Sequence, residues 1–171
     1  MAENERDLAL SNFDQAHAAF AAAVEATPAA ALRYRPAGED YALGGLAIHV
    51  AQVLDKYARV LRAMRAADFG PVTEPSAEAS QGDAALIRDG FDDGQRRSVL
   101  ERVRAAHMSV ADAVRAFAED GFRRAAPVTY AGSAEPYPTT PADVLGWVHA
   151  HYDEHVAQIA DLRRAWAAAP Q

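Results

Sequence analysis

The sequence predicts an all-α protein, a four-helix bundle occupying residues 1–171 as one domain. Three observations predict it: alanine supplies much of the hydrophobic half of the composition, apolar residues recur at helical spacing in four long segments, and no segment alternates as a strand would. Alanine favours helix because it loses no side-chain entropy there. A chain of 171 residues is long enough to bury one good core.

From Arg6 to Ala26 the apolar positions Leu10, Phe13, Ala16, Phe20, Ala23 and Val24 define the first helix, and Thr27-Pro28 closes it. A turn-rich run, Arg35 to Asp40, follows, with Asp40 as a candidate cap. Leu43, Leu46, Val50, Val53, Leu54, Tyr57, Leu61 and Met64 then keep one face of a second helix apolar. Gly44-Gly45 weakens its start by about 1 kcal/mol per residue relative to alanine, which implies close packing there rather than a break. Asp68 to Gly94 reads as a long irregular crossover with one short helix around Ala84 to Arg88.

The third helix is predicted from Gln95 to Glu119, with Val99, Val103, Ala106, Val110, Val114 and Phe117 inward and Gly121 as its stop. Phe122 to Pro138, with four residues of the Gly/Pro type, reads as a loop over one end of the bundle. Thr140-Pro141-Ala142-Asp143 opens the fourth helix: threonine caps, proline takes the first helical position, and aspartate closes a capping box. That helix continues to about Ala169.

The chemistry-bearing residues lie on the second and fourth helices. The inner seam of the fourth is Val144, Val148, His151, His155, Ile159, Leu162 and Trp166. Side chains four apart share a helix face with Cβ atoms about 6 Å apart, so two imidazoles can ligate one ion at about 2.0 to 2.1 Å. His49, beside Leu46 and Val53 at the edge of the second helix's stripe, supplies a third. A hydrogen-bonded core histidine is the commoner role for any one of them, but two adjacent imidazoles in an apolar seam leave up to four ring nitrogens to satisfy. Three neutral histidines leave a coordination position open, the arrangement of a catalytic rather than a structural ion.

Glu154 lies about 60° from His151 around the axis and is the candidate base or acceptor at the open position, its alternative being a solvated carboxylate. Asp153 is further round. His149, about 200° from His151, is predicted to be solvated, and His17 and His107 to be structural or surface residues. Tyr57, two turns beyond His49, is a packing aromatic or a donor to substrate.

Composition excludes much. Without cysteine there is no disulfide, thiolate nucleophile or Cys-bearing zinc site, so a metal must use nitrogen and oxygen. A formal charge of −7 with no basic cluster argues against nucleic acid. No run approaches the roughly 20 apolar residues of a membrane span, and the first ten residues do not read as a secretory signal, so the expected compartment is the cytoplasm.

The segments Arg35 to Tyr41, Leu46-Ala47-Ile48-His49-Val50 and Trp147 to Ile159, ending H-x-x-x-H-x-x-Q-I, resemble the DinB-like (YfiT-like) metalloenzyme family. The resemblance implies an up-down-down-up bundle, a nickel or zinc class ion on His49, His151 and His155, and a homodimer. It also implies a transferase or isomerase acting with a low-molecular-weight thiol. The family's usual tryptophan before the second helix is Tyr41 here. The resulting expectation is a metal-dependent thiol transferase, isomerase or hydrolase acting on a small molecule. Its alternatives are a non-catalytic metal-binding or dimerisation module and, more remotely, haem ligation by the bundle histidines.

Overall fold

The computed structural model describes residues 4–76 and 81–169. Among them are five α-helices and a small three-stranded sheet: α1 (Glu5–Glu25), α2 (Gly45–Ala66), β1 (Val72–Thr73), α3 (Gln81–Asp89), α4 (Arg96–Arg115), β2 (Ala126–Thr129), β3 (Tyr137–Thr139) and α5 (Pro141–Ala168). The protein is thus mainly helical rather than strictly all-α.

The four long helices bury the predicted faces. Leu10, Phe13, Ala16, Phe20 and Val24 line α1; Leu46, Val50, Leu54, Leu61 and Met64 are among the fully buried residues of α2. Their relative directions follow from end-to-end contacts. Arg6, near the start of α1, donates to the Phe117 carbonyl just past α4 at 2.9 Å. Arg96, the first residue of α4, donates to the carbonyls of Val24, Glu25 and Thr27 at 2.7–2.8 Å. These helices run antiparallel, and the guanidinium satisfies carbonyls that the end of α1 leaves without intrahelical partners. α2 runs alongside α4 in the same direction: Gln52 and Arg102 meet on the Asp83 carboxylate of α3, and Arg62 reaches Ser109 further along. α2 and α5 run oppositely, with His49 facing His151 and His155 while Tyr57 faces Trp147.

Thr140 and Asp143 form the predicted capping box on α5, with Asp143 N–H donating to Thr140 Oγ1 at 3.0 Å and Thr140 N–H to Asp143 Oδ2 at 2.9 Å. Asp40 is not the cap of α2. That helix begins at Gly45, five residues later, without a side-chain cap, and the turn before it is held by main-chain bonds: Ala42 N–H bonds to the Ile87 carbonyl of α3, Leu43 N–H to Tyr34 and Gly44 N–H to Leu32. α4 ends at Arg115, before the predicted stop at Gly121, and Glu119–Arg123 form a separate 3₁₀ turn. Gly121 instead gives room for the Phe69 ring, 3.3 Å from where its Cβ would be.

The two predicted irregular segments are more ordered than their glycines and prolines suggest. The crossover carries β1 and a longer helix than expected, α3, while its residues 77–80 lie outside the described part. The segment before α5 is a hairpin: β2 pairs antiparallel with β3 and parallel with β1, giving the order β1-β2-β3. Pro127 faces Pro138 across the hairpin. Neither can donate, so theirs is a non-hydrogen-bonded pair and the flanking pairs carry the ladder. Ala126 and Val128 point inward and are fully buried, which anchors the sheet to the helical core.

Candidate metal centre

His49 comes from α2, one turn after the close approach at Gly45; His151 and His155 come from successive turns of α5. Each of the three offers a ring nitrogen, and these nitrogens lie within 4.8 Å of one another. The two on α5 are closest, with Nε2 of His151 3.2 Å from Nε2 of His155. Two ligands about 2.1 Å from one ion and subtending roughly 100° would stand about that far apart. The donor set therefore fits a metal ion, which would take the place of the hydrogen bond that His151 Nε2–H can donate to His155 Nε2.

Tautomer and orientation are fixed from outside. His155 is 5 % exposed, and its Nδ1 lies 2.8 Å from Gln158 Oε1. A carbonyl oxygen only accepts, so Nδ1 carries the proton and Nε2 presents its lone pair inward, the outer-shell arrangement that metal-binding histidines need. The predicted motif segment contained Gln158, but its role becomes visible only through the i, i+3 spacing from His155.

Burial is the largest cause of depressed basicity at all three rings. His49 and His151 are pushed down to about 4, with the His155 charge adding to the effect on both, and Lys56 adding to it on His151. His155 is also lowered by burial, against opposing contributions from Gln158 and Glu154. The imidazoles are therefore neutral, ligand-ready bases at neutral pH. In the metal-free protein this makes stability pH-dependent. The unfolded chain takes up protons near pH 6.5 while folded His49 and His151 resist until about 4, so stability should be full above 6.5 and fall steadily toward 4. Urea denaturation of chelator-treated protein across that window checks this, and a flat midpoint would contradict it.

Glu154 lies at the rim, 72 % exposed, with its carboxylate 4.0 Å from His151 Nδ1. Asp153 turns away to pair with His149 at 3.4 Å. His17 and His107 take no part in the centre. His107 is buried and stacked between Phe13 and His17, with ring centroids 4.2 and 4.3 Å away, and its Nε2 donates to Asp14 at 2.9 Å. Tyr152, which the predicted seam omitted, is fully buried against Phe13 and Phe20 of α1; its hydroxyl lies 3.4 Å from His107 Nδ1. Tyr57 stands in an aromatic cluster with Tyr130 and Trp147, centroids 6.5 and 5.9 Å away, beside the histidines rather than among them.

The fold and site define a mainly helical protein with three imidazoles from two antiparallel helices converging on one point, and no helix among the described residues is long and apolar enough to cross a membrane. The chain belongs to the DinB superfamily, whose family model matches residues 12–159. It is also similar in fold to a conserved protein from Enterococcus faecalis of known crystal structure. The TM-score is 0.62 at 17 % identity, over 95 % of this chain and 97 % of that one. No curated protein matches the chain.

Proposed function

We propose that the four long helices constitute an up-down-down-up bundle whose role is to hold one divalent ion, zinc or nickel, on His49, His151 and His155, and that the ion serves catalysis on a small molecule. The observation that carries this is the convergence of three neutral imidazoles, with the buried one oriented by Gln158. A bound ion would supply Lewis acidity, lowering the pKa of a thiol or water beside it. The chain's own contribution is orientation and access. Gln158 holds the His155 proton on Nδ1, and Glu154, exposed near His151, is placed to take up a proton and exchange it with solvent. The family membership supports a low-molecular-weight thiol as the nucleophile, in a transferase, isomerase or hydrolase reaction.

Gently purified protein should carry about one equivalent of divalent metal, and zinc at a hundred times its Kd should stabilise the metal-free form by about 2.7 kcal/mol. Thiol consumption against a panel of electrophiles should be lost in His151→Ala. Metal below roughly a tenth of an equivalent together with no stabilisation by zinc or nickel would sink the proposal. Stoichiometric metal without any turnover would leave a non-catalytic metal-binding module.

A further inference from the structure

Of the 17 lysines and arginines in the chain, one is a lysine, Lys56. It lies seven residues after His49 on α2, two turns along the same face. Its ammonium stands 4.6 Å from the Tyr57 ring centroid, and its charge reaches His151. None of the ion pairs among the described residues engages it.

This cation lines a cavity of about 520 Å³ between α2, α5 and the sheet. The walls are aromatic: Trp147, one turn before His151, has Tyr57, Tyr130 and Tyr137 around it at centroid distances of 5.9, 6.2 and 6.2 Å. The other charge of the cavity is Glu74. Its carboxylate accepts from Ala131 N–H at 3.2 Å, and its effect is felt at Tyr57 and Tyr130 rather than at any histidine. The groove is therefore polarised, positive on the side of His151 and negative toward the sheet.

We propose that this groove binds a small monoanionic organic carboxylate with a flat apolar body. The carboxylate sits against the Lys56 ammonium beside the metal centre, the body lies on Trp147 between Tyr57 and Tyr130, and an uncharged or cationic end faces Glu74. As a statement of the substrate class this rests on the metal site proposed above. An ammonium that none of the ion pairs among the described residues engages gains from an anionic ligand, through a charge-assisted hydrogen bond. Trp147 and the tyrosines reward a flat body by offset or edge contacts. Glu74 repels a second anionic end, which sets the charge at one.

The test uses the full-length, zinc-loaded protein and three probes: hydrocinnamate, its neutral amide, and the dianion bearing a second carboxylate at the para position. Acetylation of Lys56 by a water-soluble active ester, followed by peptide mass spectrometry, reads occupancy without any substitution. Hydrocinnamate should slow it by at least about fivefold, and the amide and dianion should not. By tryptophan fluorescence, Lys56→Gln should weaken hydrocinnamate binding by roughly tenfold and leave the amide within about twofold. Equal protection by acid and amide, or equal affinity of the variant for hydrocinnamate, overturns the inference. Hydrocinnamate binding that depends on zinc but not on Lys56 places the carboxylate on the ion and also overturns it, leaving the metal site standing. Lys56-dependent binding in a protein that takes up no zinc would instead overturn the metal site and keep the groove as a carboxylate site.

Discussion

Replacing His155 with alanine should weaken zinc binding by more than about 100-fold, the largest loss expected from any single substitution at the centre. His155 is the most buried of the three histidines, and its Nε2 stands 3.2 Å from that of His151. Changes to outer-shell partners of metal-bound histidines lose about 10–100-fold in affinity, so removal of a ligand should exceed the upper end of that range. Gln158→Ala supplies the comparison. It leaves every ligand in place and releases the tautomer fixed by the 2.8 Å contact to Nδ1, so it should fall inside the 10–100-fold window. Competition titration with a chelator of known affinity measures both. The same difference is visible in unfolding. Zinc at a hundred times the native Kd adds about 2.7 kcal/mol to the parent protein, but after a 100-fold loss the same concentration adds only about 0.4 kcal/mol. Unchanged zinc affinity in His155→Ala, or a larger loss in Gln158→Ala, would mean that these rings are not the ligands.

Why the cluster of three histidines is legible in the sequence and its surroundings are not is a matter of range. His151 and His155 are four apart on one helix, and His49 sits on the edge of an apolar stripe, so local periodicity alone puts all three on inward faces. The long helices were legible for the same reason: Leu10, Phe13, Ala16, Phe20 and Val24 of α1 are all buried at the expected spacing. What failed depends on contacts between segments distant in sequence. β1 and β2 pair Val72 with Val128, and no local pattern in a two-residue strand announces that partner. The prolines that argued against structure before α5 are tolerated because they oppose each other in a non-hydrogen-bonded pair. Asp40 is not the cap because α2 starts five residues later, at Gly45, after a turn whose N–H groups pair with Ile87, Tyr34 and Leu32 from elsewhere in the chain. The aromatic groove was missed because Tyr130 and Tyr137 reach it from the hairpin, which the sequence presents as loop.

Gly45→Ala should destabilise the protein by about 2–3 kcal/mol, although alanine is the better helix former by about 1 kcal/mol. The pair Gly44-Gly45 opens α2 where the end of α3 crosses it. A Cβ on Gly45 would lie 1.9 Å from the Ile87 carbonyl oxygen, 2.6 Å from its carbon and 2.8 Å from Ile87 Cα. All three are backbone atoms, so no rotamer change relieves the clash and a helix must move. That carbonyl also accepts from Ala42 N–H at 3.0 Å, a bond the movement would strain or break. Gly146→Ala is the opposite case on α5: nothing lies within 4 Å of its would-be Cβ, so the propensity gain is unopposed and about 0.5–1 kcal/mol of stabilisation should follow. Urea denaturation of the two variants should therefore give shifts of opposite sign, and equal shifts would contradict the close approach of α3 to α2. Zinc affinity then tells which element yields. If the first turn of α2 moves, His49 one turn on moves with it and affinity falls. If α3 moves instead, affinity holds and the link from Asp83 to Gln52 and Arg102 is what is lost.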